Sequence, residues 1–123
     1  MKNLLLWILF YTLVLAFSQI LLKLGVSQIG GFVIKDSKDL FPLALQVTKN
    51  PLIILGIILM ASSFLLWIYI LSWFKLGLVF PLTALVYVLV AILSYSLLGE
   101  RLSALNYFGV ILIATGVFFV LYR

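Results

Sequence analysis

The sequence predicts an all-α integral membrane protein with four transmembrane helices, and three observations carry that prediction. First, the charged residues leave four long stretches free of formal charge: Asn3–Leu22, Asn50–Phe74, Leu76–Gly99 and Leu102–Tyr122. A spanning helix needs about 20 mainly apolar residues, because the hydrocarbon core is roughly 30 Å thick and a helix rises about 1.5 Å per residue. Second, 67% of the 123 residues are hydrophobic, 9% are charged and the mean hydropathy is +1.39, so a domain of this size has too little polar surface to face water. Third, the run from Leu52 to Met60 is apolar at every position, which removes the alternation of a membrane β-barrel. Helices satisfy their own backbone groups in lipid. They are expected at about 3–23, 51–74, 77–98 and 103–122, within one membrane domain covering 1–123.

The first stretch follows Lys2 and runs past Gln19 to Lys23, longer than the roughly 7–15 apolar residues of a cleavable signal, so it is expected to stay as the first helix. Thr12, Ala16, Gln19 and Lys23 follow at steps of four, three and four residues and form one stripe that ends in a positive charge. Residues 24–50 are the one long connection, with Gly30-Gly31, the cluster Lys35-Asp36-Ser37-Lys38-Asp39, and then an apolar run closed by Lys49-Asn50-Pro51. This region is either a solvated loop or a short interfacial helix capped by Asp39, with Lys49 at the headgroups. Pro51 suits the first turn of the second membrane helix, whose middle holds Ser62 and Ser63.

In the third helix Thr83, Tyr87 and Ser94 share a helical periodicity, and Pro81 stands upstream where it loosens the backbone hydrogen bonding. The fourth carries Gly109, Leu112, Ile113 and Gly116 on one face, where small residues let another helix approach closely. Four helices enclose little room for a solute path. That face therefore reads as a dimer contact, with packing inside the bundle as the alternative. Trp7, Trp73, Tyr107 and Tyr122 lie near the stretch ends, where amphipathic rings belong, whereas Tyr87 lies near the centre and needs a partner for its hydroxyl.

Several function classes are disfavoured by composition. There is no cysteine and no histidine, hence no thiolate and no imidazole base or ligand. The only acids are Asp36, Asp39 and Glu100, too few and too scattered for a metal site or an acid–base pair in an enclosed place. No enzyme activity, catalytic residue, metal or cofactor is expected. The net charge of +5 comes from basic residues at helix ends, not from one basic face, so anionic lipid headgroups are the expected partner and nucleic acid is not. Lys2, Lys75 and Arg123 fall on one side of the membrane, against Lys23, Lys35, Lys38, Lys49 and Arg101 on the other. The amino terminus narrows this difference further. Either the signal is noisy or the chain inserts in both orientations, which would permit an antiparallel dimer.

Polar side chains are costly in hydrocarbon and point to faces turned inward. Gln19, Lys23, Thr83 and Tyr87 are expected to wall a polar groove between the first and third helices. The same residue types also serve interhelical hydrogen bonding, and a lysine can snorkel to the headgroups.

Leu98-Gly99-Glu100-Arg101-Leu102, preceded by Gly77-Leu78-Val79-Phe80-Pro81-Leu82 and followed by the Gly109 to Gly116 helix, resembles the drug/metabolite transporter superfamily. Two groups of small four-helix proteins in it are candidates: small multidrug resistance exporters, and EamA-type subunits that resemble aminoarabinose-phosphoundecaprenol flippases. Either resemblance implies a small multidrug resistance-like bundle, a homodimer or a heterodimer with a paralogous subunit, and a multi-pass location in the inner membrane. The exporters carry a membrane-embedded glutamate in the first helix, but Val14-Leu15-Ala16-Phe17 has no acid here. Nothing there would attract a cation or couple its exit to protons. The flippase-like group fits better, through Ser18-Gln19-Ile20-Leu21-Leu22-Lys23, Phe80-Pro81-Leu82 and the longer first connection. It implies an isoprenoid phosphate bearing a sugar, with Lys23 and Arg101 meeting the phosphate while Gln19, Thr83 and Tyr87 pass the sugar. Gly99 and Glu100 are read as a structural turn, and Arg101 serves either the turn or the phosphate. A cation exporter and a non-transporting partner of a glycosyltransferase are the alternatives.

Overall fold

A computed structural model describes residues 2–122, which form helices joined by short connections, without any strand among them. Arg123, counted above among the charges of one side, lies outside the described residues, as do the amino terminus and the Lys2 side chain. Four helices are long and apolar enough to cross a membrane: Asn3–Ile29, Pro51–Trp73, Leu76–Leu98 and Ala104–Leu121. The protein is a four-span integral membrane protein.

Helix α1 runs over Lys2–Ile29, 28 residues, and so continues beyond Lys23. Residues 24–29 contain no proline, and the helix stops only at Gly30 and Gly31, whose φ values of 86° and 87° are left-handed and suited to glycine. A 3-10 turn at Ser37–Asp39 then leads into α2, Leu40–Lys49. The Asp39 carboxylate does not cap α2: it turns back and accepts from the backbone N–H of Lys35 at 3.0 Å and of Asp36 at 3.2 Å. These donors hold its carboxyl below the usual carboxylate range. No residue of α2 is buried, and Leu40, Phe41 and Leu45 are exposed large apolar side chains.

Helix α3, Pro51–Trp73, begins on a strong signal. Pro51 occupies its first turn, and Asn50 Oδ1 accepts from the N–H of Leu52 at 2.9 Å and of Ile53 at 3.3 Å. The third span is built in pieces: α4, Leu76–Leu82, α5, Leu85–Leu93, and a π turn over Ser94–Leu98. Pro81 lacks an N–H, and around it the ladder tightens to three-residue bonds such as Ala84 N–H to Pro81 O at 3.1 Å and Val86 N–H to Thr83 O at 2.9 Å. Gly99, at φ 69°, ends the π turn. Ser103 caps the last helix, α6, Ala104–Leu121, by accepting from Asn106 N–H at 3.3 Å.

Helix α1 packs along α3 and against α5, and α6 packs against α4 and α5. Leu4, Ile8, Thr12, Ala16 and Ile20 are buried at strict four-residue steps. The core cluster of Leu4, Ile8, Ile70, Val79, Leu82 and Val117 collects where α1 and α4 begin and α3 and α6 end. At the opposite end α1 and α3 meet on glycines. A Cβ on Gly25 would run into Ile53 Cγ1 and stand 3.0 Å from Ile53 N, and one on Gly56 would stand 2.9 Å from Leu22 Cγ and 3.2 Å from Leu22 N. Asn50 fastens the same end, donating to Gly25 O at 3.2 Å and to Gln28 Oε1 at 3.1 Å.

Candidate functional site

The polar stripe of α1 divides once the helix is packed. Thr12 and Ala16 are fully buried, and Thr12 Oγ1 donates to Ile8 O at 2.8 Å and Leu9 O at 3.1 Å, so its hydroxyl is satisfied within its own helix. The buried line continues to Ile20, which leaves Gln19 and Lys23 together on an exposed edge. Gln19 Nε2 lies 3.9 Å from Met60 Sδ of α3, a weak contact.

Lys23 reaches the turn between α5 and α6. Its Nζ stands 3.5 Å from Glu100 Oε1, with 57% of the Lys23 side chain and 44% of the Glu100 side chain exposed. The other carboxylate oxygen, Oε2, accepts from the buried Ser94 hydroxyl at 2.5 Å. That bond, assisted by the Lys23 charge and opposed by desolvation, holds the Glu100 carboxyl below its usual range. The local backbone explains the placement. The π turn carries its closing bonds back to Ser94, whose carbonyl accepts from Gly99 N–H and, at 3.3 Å, from Glu100 N–H. The left-handed Gly99 then folds Glu100 back over Ser94. Arg101 follows, exposed beside the pair.

Lys23 and Glu100 are thus brought together, with Ser94 and Arg101 next to them. Thr83 and Tyr87 are placed differently. The Thr83 hydroxyl donates to Phe80 O at 2.7 Å in its own helix, and Tyr87 is 62% exposed on the surface of α5. On α6 a Cβ at Gly109 or Gly116 would meet nothing within 4 Å, Leu112 is exposed and Ile113 is half-buried. That face is open in the single chain. Sequence reasoning passed over Ser94 as a partner of Glu100, and over Asn50. The Asn-Pro step before an apolar run was a readable capping signal for Asn50. Nothing in the sequence signalled the Ser94 bond, which depends on the π turn.

A cleft of about 470 Å³ opens between the third span and α6, lined by Ala91, Ile92, Tyr95, Ser96, Tyr107 and Val110. It is apolar apart from three hydroxyl groups. Among the described residues no group of three or more acidic, histidine or cysteine side chains forms a metal cluster.

The EamA-like transporter family matches residues 3–122, essentially the whole chain. A probable 4-amino-4-deoxy-L-arabinose-phosphoundecaprenol flippase subunit, ArnE, of Pectobacterium atrosepticum is 32% identical over 66 residues. That similarity covers 54% of this chain and 58% of the Pectobacterium protein, less than two thirds of its length. No solved structure matches the chain.

Proposed function

Because the chain belongs to the EamA-like transporter family and is a multi-pass transporter of the inner membrane, we propose that it moves a polyprenyl-phosphate-linked sugar between leaflets, as one subunit of a homodimer or of a heterodimer with a paralogue. The observation that carries this reading is the charge placement: every acid lies outside the four spans, while Lys23 and Arg101 meet Glu100 and its turn at one end of the bundle. A cation in transit would find no carboxylate within the spans, whereas a phosphate would find at the rim Arg101 and a Lys23 held by Glu100 at only 3.5 Å and largely exposed. The isoprenoid tail stays in lipid, so only the headgroup has to cross. Similarity to a flippase subunit for an aminosugar phosphopolyprenol supports the substrate class.

A second subunit is supported by how little of the later helices one chain covers. Few residues of the third and fourth spans are buried, and the Gly109, Leu112, Ile113 and Gly116 face is unfilled.

The test is reconstitution into vesicles with a labelled polyprenyl-phosphate sugar. Headgroups should become accessible on the opposite leaflet faster than in protein-free vesicles, and Lys23→Ala should slow that exchange while the protein stays folded. Exchange no faster than in empty vesicles, with the protein alone or with its paralogue, overturns the proposal. Proton-coupled uptake of quaternary ammonium compounds would replace it with cation export.

A further inference from the structure

Between α1 and the 3-10 turn the chain leaves helical structure for one short, straight run. Gly30 and Gly31, at φ 86° and 87°, turn it off α1. No turn or bend then interrupts residues 32–35, no φ there is positive, and Asp36 follows at φ −131° and ψ 161°, so the run is extended. It is held at both ends, by the glycine turn and by the Asp39 carboxylate that accepts from the N–H groups of Lys35 and Asp36. Its middle is bare. Among the described residues no hydrogen bond uses the backbone of Phe32, Val33 or Ile34, and all three side chains are exposed, Val33 at 75%. A groove of about 310 Å³ is lined by these three and by Pro42, Leu43 and Gln46 of α2. Lipid would cover the side chains but leave the backbone groups unpaired, and water would do the reverse. Another extended chain satisfies both at once.

We infer that this segment pairs antiparallel with the same segment of a second copy inserted in the same orientation. The register follows from the residues. A two-fold axis through Val33 sets Val33 opposite the partner's Val33 and Phe32 opposite the partner's Ile34, twice over, and aromatic with β-branched neighbours are favourable cross-strand pairs. Lys35 and Asp36 then fall opposite the partner's Gly31 and the partner's Gly30, which have no side chain to keep a charge from water. Such a contact is isologous and closes on two copies. Because the segment is already extended and tethered, pairing costs little ordering, and confinement of both copies to one membrane at one depth raises their effective concentration. At 28 residues α1 is longer than the roughly 20 that hydrocarbon requires, so it carries the segment to the membrane surface. The two-fold axis therefore stands along the membrane normal, and copies inserted in opposite orientations would hold their segments on opposite faces of the bilayer. The contact does not depend on what the protein transports.

The sequence contains no cysteine, so single substitutions in the full chain report alone. Facing residues of an antiparallel pair stand about 4.5–5.5 Å apart between Cα atoms, within disulfide reach, and diagonal neighbours about 7–8 Å, beyond it. In phosphatidylcholine vesicles Val33→Cys should therefore cross-link to its copy under mild oxidation roughly fivefold faster than Phe32→Cys or Ile34→Cys does alone, and Phe32→Cys co-expressed with Ile34→Cys should regain the fast rate. All three side chains are exposed, so these substitutions leave the single chain undisturbed, and maleimide labelling of each confirms a reachable thiol. Equal rates for the three single variants would signify random collision and overturn the inference, as would a mixture no faster than its components. Cysteines that label but do not cross-link would put the copies apart or in opposite orientations, which overturns it too.

Discussion

Replacing Gly25 and Gly56 by alanine, with Gly109 and Gly116 as internal controls, separates helix contact from helix propensity. In an exposed helix Gly→Ala stabilises by about 0.8–1 kcal/mol, because the backbone is less free when unfolded. At Gly109 and Gly116 an added methyl meets nothing within 4 Å in one chain, so that gain should appear undiminished in the monomer. At Gly56 the methyl would lie 2.9 Å from Leu22 Cγ, and reaching an ordinary separation of roughly 3.5 Å requires α1 and α3 to part by about 0.6 Å. At Gly25 a side-chain carbon and the backbone nitrogen of Ile53 both obstruct, and backbone cannot rotate away. Overpacking of this kind destabilises by about 1–3 kcal/mol. Set against the propensity gain, Gly56→Ala should come out near neutral to 2 kcal/mol destabilised, and Gly25→Ala toward the upper end of that range. Reversible unfolding in mixed micelles, followed by tryptophan fluorescence, measures the differences. If Gly25→Ala and Gly56→Ala stabilise as much as Gly109→Ala does, the α1–α3 approach described here is wrong.

Asn50→Ala removes the cap of α3 and both bonds to the end of α1, and should destabilise by roughly 1–3 kcal/mol in the same unfolding assay. Because the Glu100 carboxyl is held below its usual value of 4.5, the stabilisation it contributes is present above that value and is lost as pH falls through the lower folded value. Its protonated-carboxyl infrared band, identified as the band missing in Glu100→Gln, should therefore reach half of its full intensity only below pH 4.5, and a midpoint above that value would contradict the Ser94 and Lys23 contacts. A spin label on Phe41→Cys should report about 5–10 Å of immersion below the phosphates if α2 lies along the interface, and free aqueous exposure would return the segment to a solvated loop. If the Gly109 face joins subunits, Gly116→Leu should shift the chain from dimer to monomer in cross-linking, and an unchanged dimer would move the interface elsewhere.

The membrane spans were legible because a bilayer leaves so few options: every charge had to sit at an end. Lys23 shows the limit of that rule. Taken as the edge of the first helix, it lies six residues inside it, since a lysine stem carries its charge sideways to a partner, and that partner, Glu100, sits in a turn distant in the chain. Hydroxyls were weaker guides than they looked. Thr12, Thr83, Ser62 and Ser63 all donate to carbonyls of their own helices, so polarity in a span need not point to a cavity. Glycine spacing drew attention to Gly109 and Gly116, while Gly25 and Gly56, with no motif around them, sit at the tight crossing. Only tertiary placement distinguishes the two pairs.

The overrun of α1 makes bilayer thickness a control variable. Twenty-eight residues span about 42 Å, and fitting that length into roughly 30 Å of hydrocarbon would need a tilt far above the usual 20° or so. The final turns therefore stand among the headgroups, and Lys23 comes to rest where dielectric constant changes steeply with depth. Thickening the membrane by a few ångströms would draw its ion pair into a drier layer and tighten it, and thinning would wet and loosen it. Lipid chain length should accordingly tune how readily Lys23 lets go of Glu100, with no ligand present and no residue changed.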